Sequence, residues 1–158
     1  MNRFLFLILG LLLVSGLRAA QTIHQFERVQ LDGFYWSEGA NFGDLNNDSK
    51  PDAISGPYWW EGPGFKKRHE IYAPKTTFGT TDEQGKTVIH PGFEGALGKK
   101  NAYSGDNFFT FAYDFTRDGW RDVLTYGLPG TPAYLYVNNR GGSGHWQRFN
   151  VLDQVDNE

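Results

Sequence analysis

The chain has 158 residues, no cysteine, 15 Lys plus Arg against 18 Asp plus Glu, and a formal net charge of −3. That length suits about one domain. The missing cysteines exclude disulfides and thiol chemistry, and the acidic balance argues against nucleic acid as a partner. Aromatic residues make up 16% of the chain and Gly occurs 20 times. No long apolar helical stripe follows the first twenty residues, so many short strands and turns are expected.

Residues 1–20 read as a secretory signal peptide. Arg3 gives the positive start, Phe4 to Val14 the apolar run, and Ala19-Ala20 the small residues for cleavage. The apolar run is too short to span a bilayer comfortably. Arg18 stands where cleavage after Ala20 prefers a small residue, so a retained N-terminal anchor is the alternative. Cleavage would leave 13 basic and 18 acidic residues, a net charge of −5. The expected location is secreted or periplasmic, with no membrane span after signal cleavage.

Residues 21–72 form the first structural unit. Its strand candidates are Gly39–Asp44, Ala53–Ser55, Tyr58–Trp60 and Arg68–Tyr72, punctuated by Gly56-Pro57 and Gly62-Pro63-Gly64. Between the first two lies an acidic ladder, Asp44-Leu45-Asn46-Asn47-Asp48-Ser49-Lys50-Pro51-Asp52. Trp36, Tyr58, Trp59 and Trp60 cluster around this unit. Stacking on sugar is conceivable for them, and core packing is the stronger expectation. Lys66-Lys67-Arg68 reads as a solvated strand edge that discourages edge pairing.

Residues 73–105 are a long insertion, too long for an ordinary loop. Thr80–Thr87 is expected to form a small polar hairpin. The insertion reads as a surface excursion over the first unit, with a ligand-facing loop as the alternative. Gly95-Ala96-Leu97-Gly98-Lys99-Lys100 lacks the spacing of a phosphate loop.

Residues 106–158 repeat the first unit. Strands are expected at Phe108–Asp114, Val123–Tyr126, Ala133–Val137 and Trp146–Leu152, with a hairpin over Asn138–Gly144. The second ladder is Asp114-Phe115-Thr116-Arg117-Asp118-Gly119-Trp120-Arg121-Asp122, starting 70 positions after the first. Both read D-x-[NT]-x-D-[SG]-x-x-D, with oxygen side chains at positions one, three, five and nine. Calcium takes six to eight hard oxygen ligands, and a tight loop supplies them from alternate residues. Asp44, Asn46, Asp48, the Lys50 carbonyl and Asp52 are therefore one expected set. Asp114, Thr116, Asp118, the Trp120 carbonyl and Asp122 are the other. Ser49 and Gly119 sit where the backbone must turn sharply. An EF-hand loop needs Glu at its twelfth position, where this chain has Ser55 and Thr125. Polar hairpin turns are the plainer account of each ladder alone.

Four antiparallel strands per unit is the form of a β-propeller blade. The expected fold is all-β, with about two blades and an incomplete ring. Repeat units bury their faces against neighbours, so the chain reads as the N-terminal part of a longer protein.

The segments Glu38-Gly39-Ala40-Asn41-Phe42-Gly43-Asp44 and Ser55-Gly56-Pro57-Tyr58-Trp59-Trp60 resemble FG-GAP/VCBS repeat proteins. Phe42-Gly43 followed by Gly56-Pro57 echoes the FG and GAP signature. The resemblance covers roughly residues 25–72 and 106–155, more loosely in the second unit. It implies calcium-binding propellers, common among secreted bacterial proteins and in integrin α-subunit heads, with structural calcium between the first and second strands of each blade. Family members bind ligands or act as adhesion and accessory modules. Carbohydrate, another extracellular protein and further blades of the same chain are the implied partners. The family usually has Asp at the third loop position and Gly at the sixth. This chain has Asn46, Thr116 and Ser49 there, and neutral ligands weaken a calcium site. The alternative function is a carbohydrate-active lyase or hydrolase, with Glu38, Glu61 and Glu94 as candidate acids and bases. His24, His69, His90 and His145 share no metal-ligand spacing; His90 lies in the insertion.

Overall fold

The computed structural model describes residues 26–34, 36–91, 107–127 and 129–156. The expectations for the signal peptide, Glu94 and Gly95–Lys100 lie outside these residues. Among the described residues the fold is all-β, and no helix is long and apolar enough to cross a membrane.

The first sheet runs in the order β1 (Ala40–Gly43), β2 (Asp52–Ser55), β3 (Tyr58–Trp60), β4 (Arg68–Glu70). The hairpin β5 (Thr77–Thr81) and β6 (Thr87–Pro91) forms a separate two-stranded sheet. The last sheet holds β7 (Phe109–Tyr113), β8 (Asp122–Tyr126), β9 (Ala133–Val137) and β10 (Gln147–Leu152) in consecutive order. All sheet neighbours are antiparallel. The eight expected strands of the two units are present; Tyr58–Trp60 and Ala133–Val137 match their expected bounds, and the ends of the other six shift by at most two residues. The insertion hairpin is larger than expected. The Asp82–Lys86 turn sits inside Thr80–Thr87, but the strands run on through Thr77 and through Thr87-Val88-Ile89, whose β-branched residues favour extended backbone.

The two four-stranded sheets share one register. Asn41 pairs with Ile54, Ile54 with Trp59, and Trp59 with His69. In the second sheet Phe111 pairs with Leu124, Leu124 with Leu135, and Leu135 with Phe149. Paired residues share a face because side chains alternate along a strand. The Ile54 face of the first sheet is buried. Leu45, Ile54, Trp59 and Ile71 pack there against Val123, Tyr136 and Trp146. Val123 and Tyr136 belong to the opposite face of the second sheet, so the packing is head to tail.

The second sheet's counterpart of the Ile54 face has no such cover among the described residues. Phe109, Phe111, Tyr113, Phe115 and Phe149 are all exposed there. The outer face of the first sheet is closed differently. Trp36 and Leu31, from the segment before β1, cover Tyr58 and Trp60. Asp32 fixes that segment by accepting from the Gly33 and Phe34 amides, the Trp36 indole and Arg68. The expected aromatic cluster is thus core on both sides: strand alternation sends Trp59 inward between the sheets and Trp60 outward.

Candidate functional site

Both ladders form the loops that join the first two strands of each sheet, and their hydrogen bonds repeat. Asp44 Oδ1 accepts from the Asp48 amide at 3.1 Å and Oδ2 from the Ser49 amide at 2.8 Å. Asp114 does the same with the Asp118 and Gly119 amides, at 3.0 and 2.9 Å. Asp48 Oδ1 accepts from the Lys50 amide at 2.9 Å, and Asp118 Oδ1 from the Trp120 amide at 2.8 Å. Positions four and six are left-handed in both loops: Asn47 and Ser49 at φ 57° and 66°, Arg117 and Gly119 at 59° and 89°. The sharp turn expected at Ser49 and Gly119 is therefore present. Ser49 adopts it despite a Cβ, which costs about 1–2 kcal/mol.

The ninth-position carboxylates are fully buried and act as brackets. Asp52 accepts from the Leu45 amide at 2.8 Å and the Gly62 amide at 2.9 Å. Asp122 accepts from the Thr116 amide and hydroxyl at 3.0 and 3.1 Å, and from the Asn138 amide at 3.0 Å. Each bracket closes its own loop and ties it to the chain just past the third strand of its sheet. Burial pushes the Asp52 carboxyl up. Its two amide donors oppose that shift, and the Asp48 and Asp44 charges reinforce it. The Asp118 carboxyl is held low by the Trp120 amide and by Arg140, whose Nε and Nη2 lie 3.0 and 2.6 Å from Oδ2.

The loops also touch each other. The Asn47 side chain donates to the Gly119 carbonyl at 3.1 Å. Asn46 Oδ1 accepts from the Asp48 amide at 3.1 Å.

Among the described residues no three His, Cys, Asp or Glu side chains are grouped to hold a metal ion. The carboxylates of each ladder accept mainly from backbone amides, with Arg140 on Asp118 and the Thr116 hydroxyl on Asp122. The donor chemistry nonetheless fits a hard cation. The side chains at positions one, three, five and nine all offer oxygen, and an ionised carboxylate has about four lone-pair sites, more than these amides fill.

Local spacing gave no sign of a second feature. The two sheets part beside the loops into a cleft of about 520 Å³, lined by residues from Leu45 to Trp146. His69 and His145, 76 positions apart in the sequence, both line it. His69 Nε2 lies 2.7 Å from Glu61 Oε1, and His145 Nε2 lies 2.8 Å from Glu70 Oε2. His90 instead meets Thr80 Oγ1 at 2.8 Å within the insertion hairpin. Of the candidate acids and bases, Glu61 is bound by Lys67 and His69, and Glu38 is exposed. In the basic run, Lys67 pairs with Glu61, while Arg68 pairs with Asp32 and lies over the Tyr58 ring.

No family model matches the chain, and neither a curated protein nor a solved structure does.

Proposed function

We propose that the chain is a secreted or periplasmic calcium-binding repeat module of the FG-GAP/VCBS propeller type, which binds or scaffolds a partner outside the cell. The observation that carries this is that the first- and fifth-position carboxylates make the same bonds to the same amides in both loops. A polar turn can be built in many ways. Two turns with three matching carboxylate-to-amide bonds and the same left-handed positions, at the same place in two sheets of one register, argue for one shared requirement. Calcium is the cation that such an all-oxygen set suits.

Asp44, Asn46, Asp48, Asp52 and the Lys50 carbonyl would hold the first ion. Asp114, Thr116, Asp118, Asp122 and the Trp120 carbonyl would hold the second. The ion's contribution is structural: it neutralises crowded carboxylates and fixes the turn between the first two strands. The raised Asp52 carboxyl marks a charge cost that a divalent cation would offset. At the second loop Arg140 already engages Asp118 and competes for it. The first loop, where Lys50 Nζ is 3.9 Å from Asp48, is the more open of the two.

The open apolar face of the second sheet supports further blades of the same chain as a partner, because its counterpart in the first sheet is buried against a neighbouring blade. The external partner is carbohydrate or another extracellular protein. Calorimetric titration with calcium tests the assignment. Asp48→Asn should remove the first binding event and Asp118→Asn the second. Unchanged stoichiometry in both variants would reject it.

A further inference from the structure

The cleft between the sheets carries chemistry that the calcium loops do not use. Three of the five tryptophans, Trp59, Trp120 and Trp146, line it. Trp59 and Trp146 are only 7% and 6% exposed. Among the described residues the indole N–H of none of the three meets an acceptor. Trp36, by contrast, donates to Asp32 Oδ2 at 3.0 Å. Trp120 is half-buried and open to water, but buried polar groups are normally hydrogen-bonded, so the Trp59 and Trp146 donors beside the cavity point to something that fills it.

Acceptors stand at the same cleft. Glu61 Oε1 is taken by Lys67 and His69, both at 2.7 Å, and Glu70 Oε2 by His145 at 2.8 Å. Their other oxygens, Glu61 Oε2 and Glu70 Oε1, have no hydrogen bond among the described residues. The His69 ring stacks on Trp59 with centroids 4.1 Å apart, which holds that wall flat. Open N–H donors, open carboxylate oxygens and aromatic surface together match a molecule with hydroxyls on its edge and C–H groups on its faces. By formal charge at pH 7, with His counted as neutral, two glutamates against one lysine leave the lining at −1 and do not favour an acidic ligand.

We propose that this cleft is a binding site for a neutral oligosaccharide. The inference deepens the binding-module reading above and rests on it. It does not need the calcium assignment.

The test is tryptophan fluorescence of the full chain titrated with cellotetraose, with mannotetraose and, as the acidic comparison, with trigalacturonate. Each titration is run in calcium and in chelator, with reducing ends assayed in parallel. The proposal expects a saturable change with at least one neutral tetrasaccharide, at a dissociation constant of about 1 mM or tighter. Affinity should fall about tenfold in Glu61→Gln and in Trp120→Phe, which keeps an aromatic ring but loses the indole donor. It should stay unchanged in Gln84→Ala on the insertion hairpin. No saturable change with either neutral sugar up to about 10 mM would overturn the proposal. So would an equal response to trigalacturonate, or unaltered binding in both cleft variants. Release of reducing ends would reject the binding-module reading while the fluorescence change still assigned the cleft. Absence of calcium binding would reject the calcium assignment alone.

Discussion

The Asn138 side-chain amide donates to the Leu45 carbonyl at 2.9 Å, joining residues 93 positions apart and tying the second unit to the first unit's loop. The same amide donates to the Arg121 carbonyl at 2.9 Å, and Asn138 Oδ1 accepts from the Arg140 amide at 2.8 Å. Asn138 is 4% exposed, so water cannot easily replace these bonds. Asn138→Ala should destabilise the chain by about 2–4 kcal/mol in urea unfolding, since it strands several backbone groups at once. A loss within experimental error would mean the units are not coupled through this residue.

The head-to-tail packing makes a paired prediction. Ile54 and Leu124 hold the same register position, but Ile54 is fully buried between the sheets and Leu124 lies on the open face at half burial. Ile54→Ala should cost about 2–5 kcal/mol, and Leu124→Ala about 1 kcal/mol or less. Equal losses measured by thermal unfolding would mean that the second sheet's face is covered in solution.

Much of this architecture is legible in the sequence because it is local. The acidic ladders, the Gly56-Pro57 turn and the short apolar runs each sit within about ten residues, and turn chemistry acts at that range. At Gly56 the fit is tight: φ is +58°, and an added Cβ would come within 2.6 Å of the Trp36 Cβ. The cleft is not legible in this way. It exists only because packing brings β3, β4 and the Asn139–Trp146 stretch together, and no spacing rule links Glu70 to His145 across 75 positions. The ninth-position carboxylates are a middle case. Their place in each ladder was visible, but their role as buried brackets depends on Gly62 and Asn138, which the fold supplies.

Ser49 offers a stabilising substitution. Its φ of 66° matches the position that Gly119 fills in the second loop at 89°. Ser49→Gly relieves the Cβ strain and should raise stability by about 1 kcal/mol, less the entropy that glycine adds to the unfolded chain. A clear loss of stability in thermal melts would show that the Ser49 side chain contributes something its backbone does not.

Asp32 gives the chain an acid-sensitive contact. Burial works to raise its carboxyl, but hydrogen bonds from the Trp36 indole, the Phe34 and Gly33 amides and Arg68 outweigh burial and leave it below the ordinary value of 3.8. A carboxyl lowered on folding contributes stability above its unfolded value and loses it as pH falls through the folded one. Asp32→Asn should therefore be less stable than the parent at pH 7. The gap should close as pH falls below about 3.8. A gap that stays constant with pH would mean that the charge on Asp32 does not hold the cover over Tyr58 and Trp60.

The most direct test of the central claim is thermal unfolding of the chain, stripped with chelator and then melted with and without calcium, with magnesium as control. The account predicts a rise of about 5 °C or more that calcium produces and magnesium does not. A cooperative melt at one temperature in all three conditions would contradict it, and would leave the two ladders as polar turns.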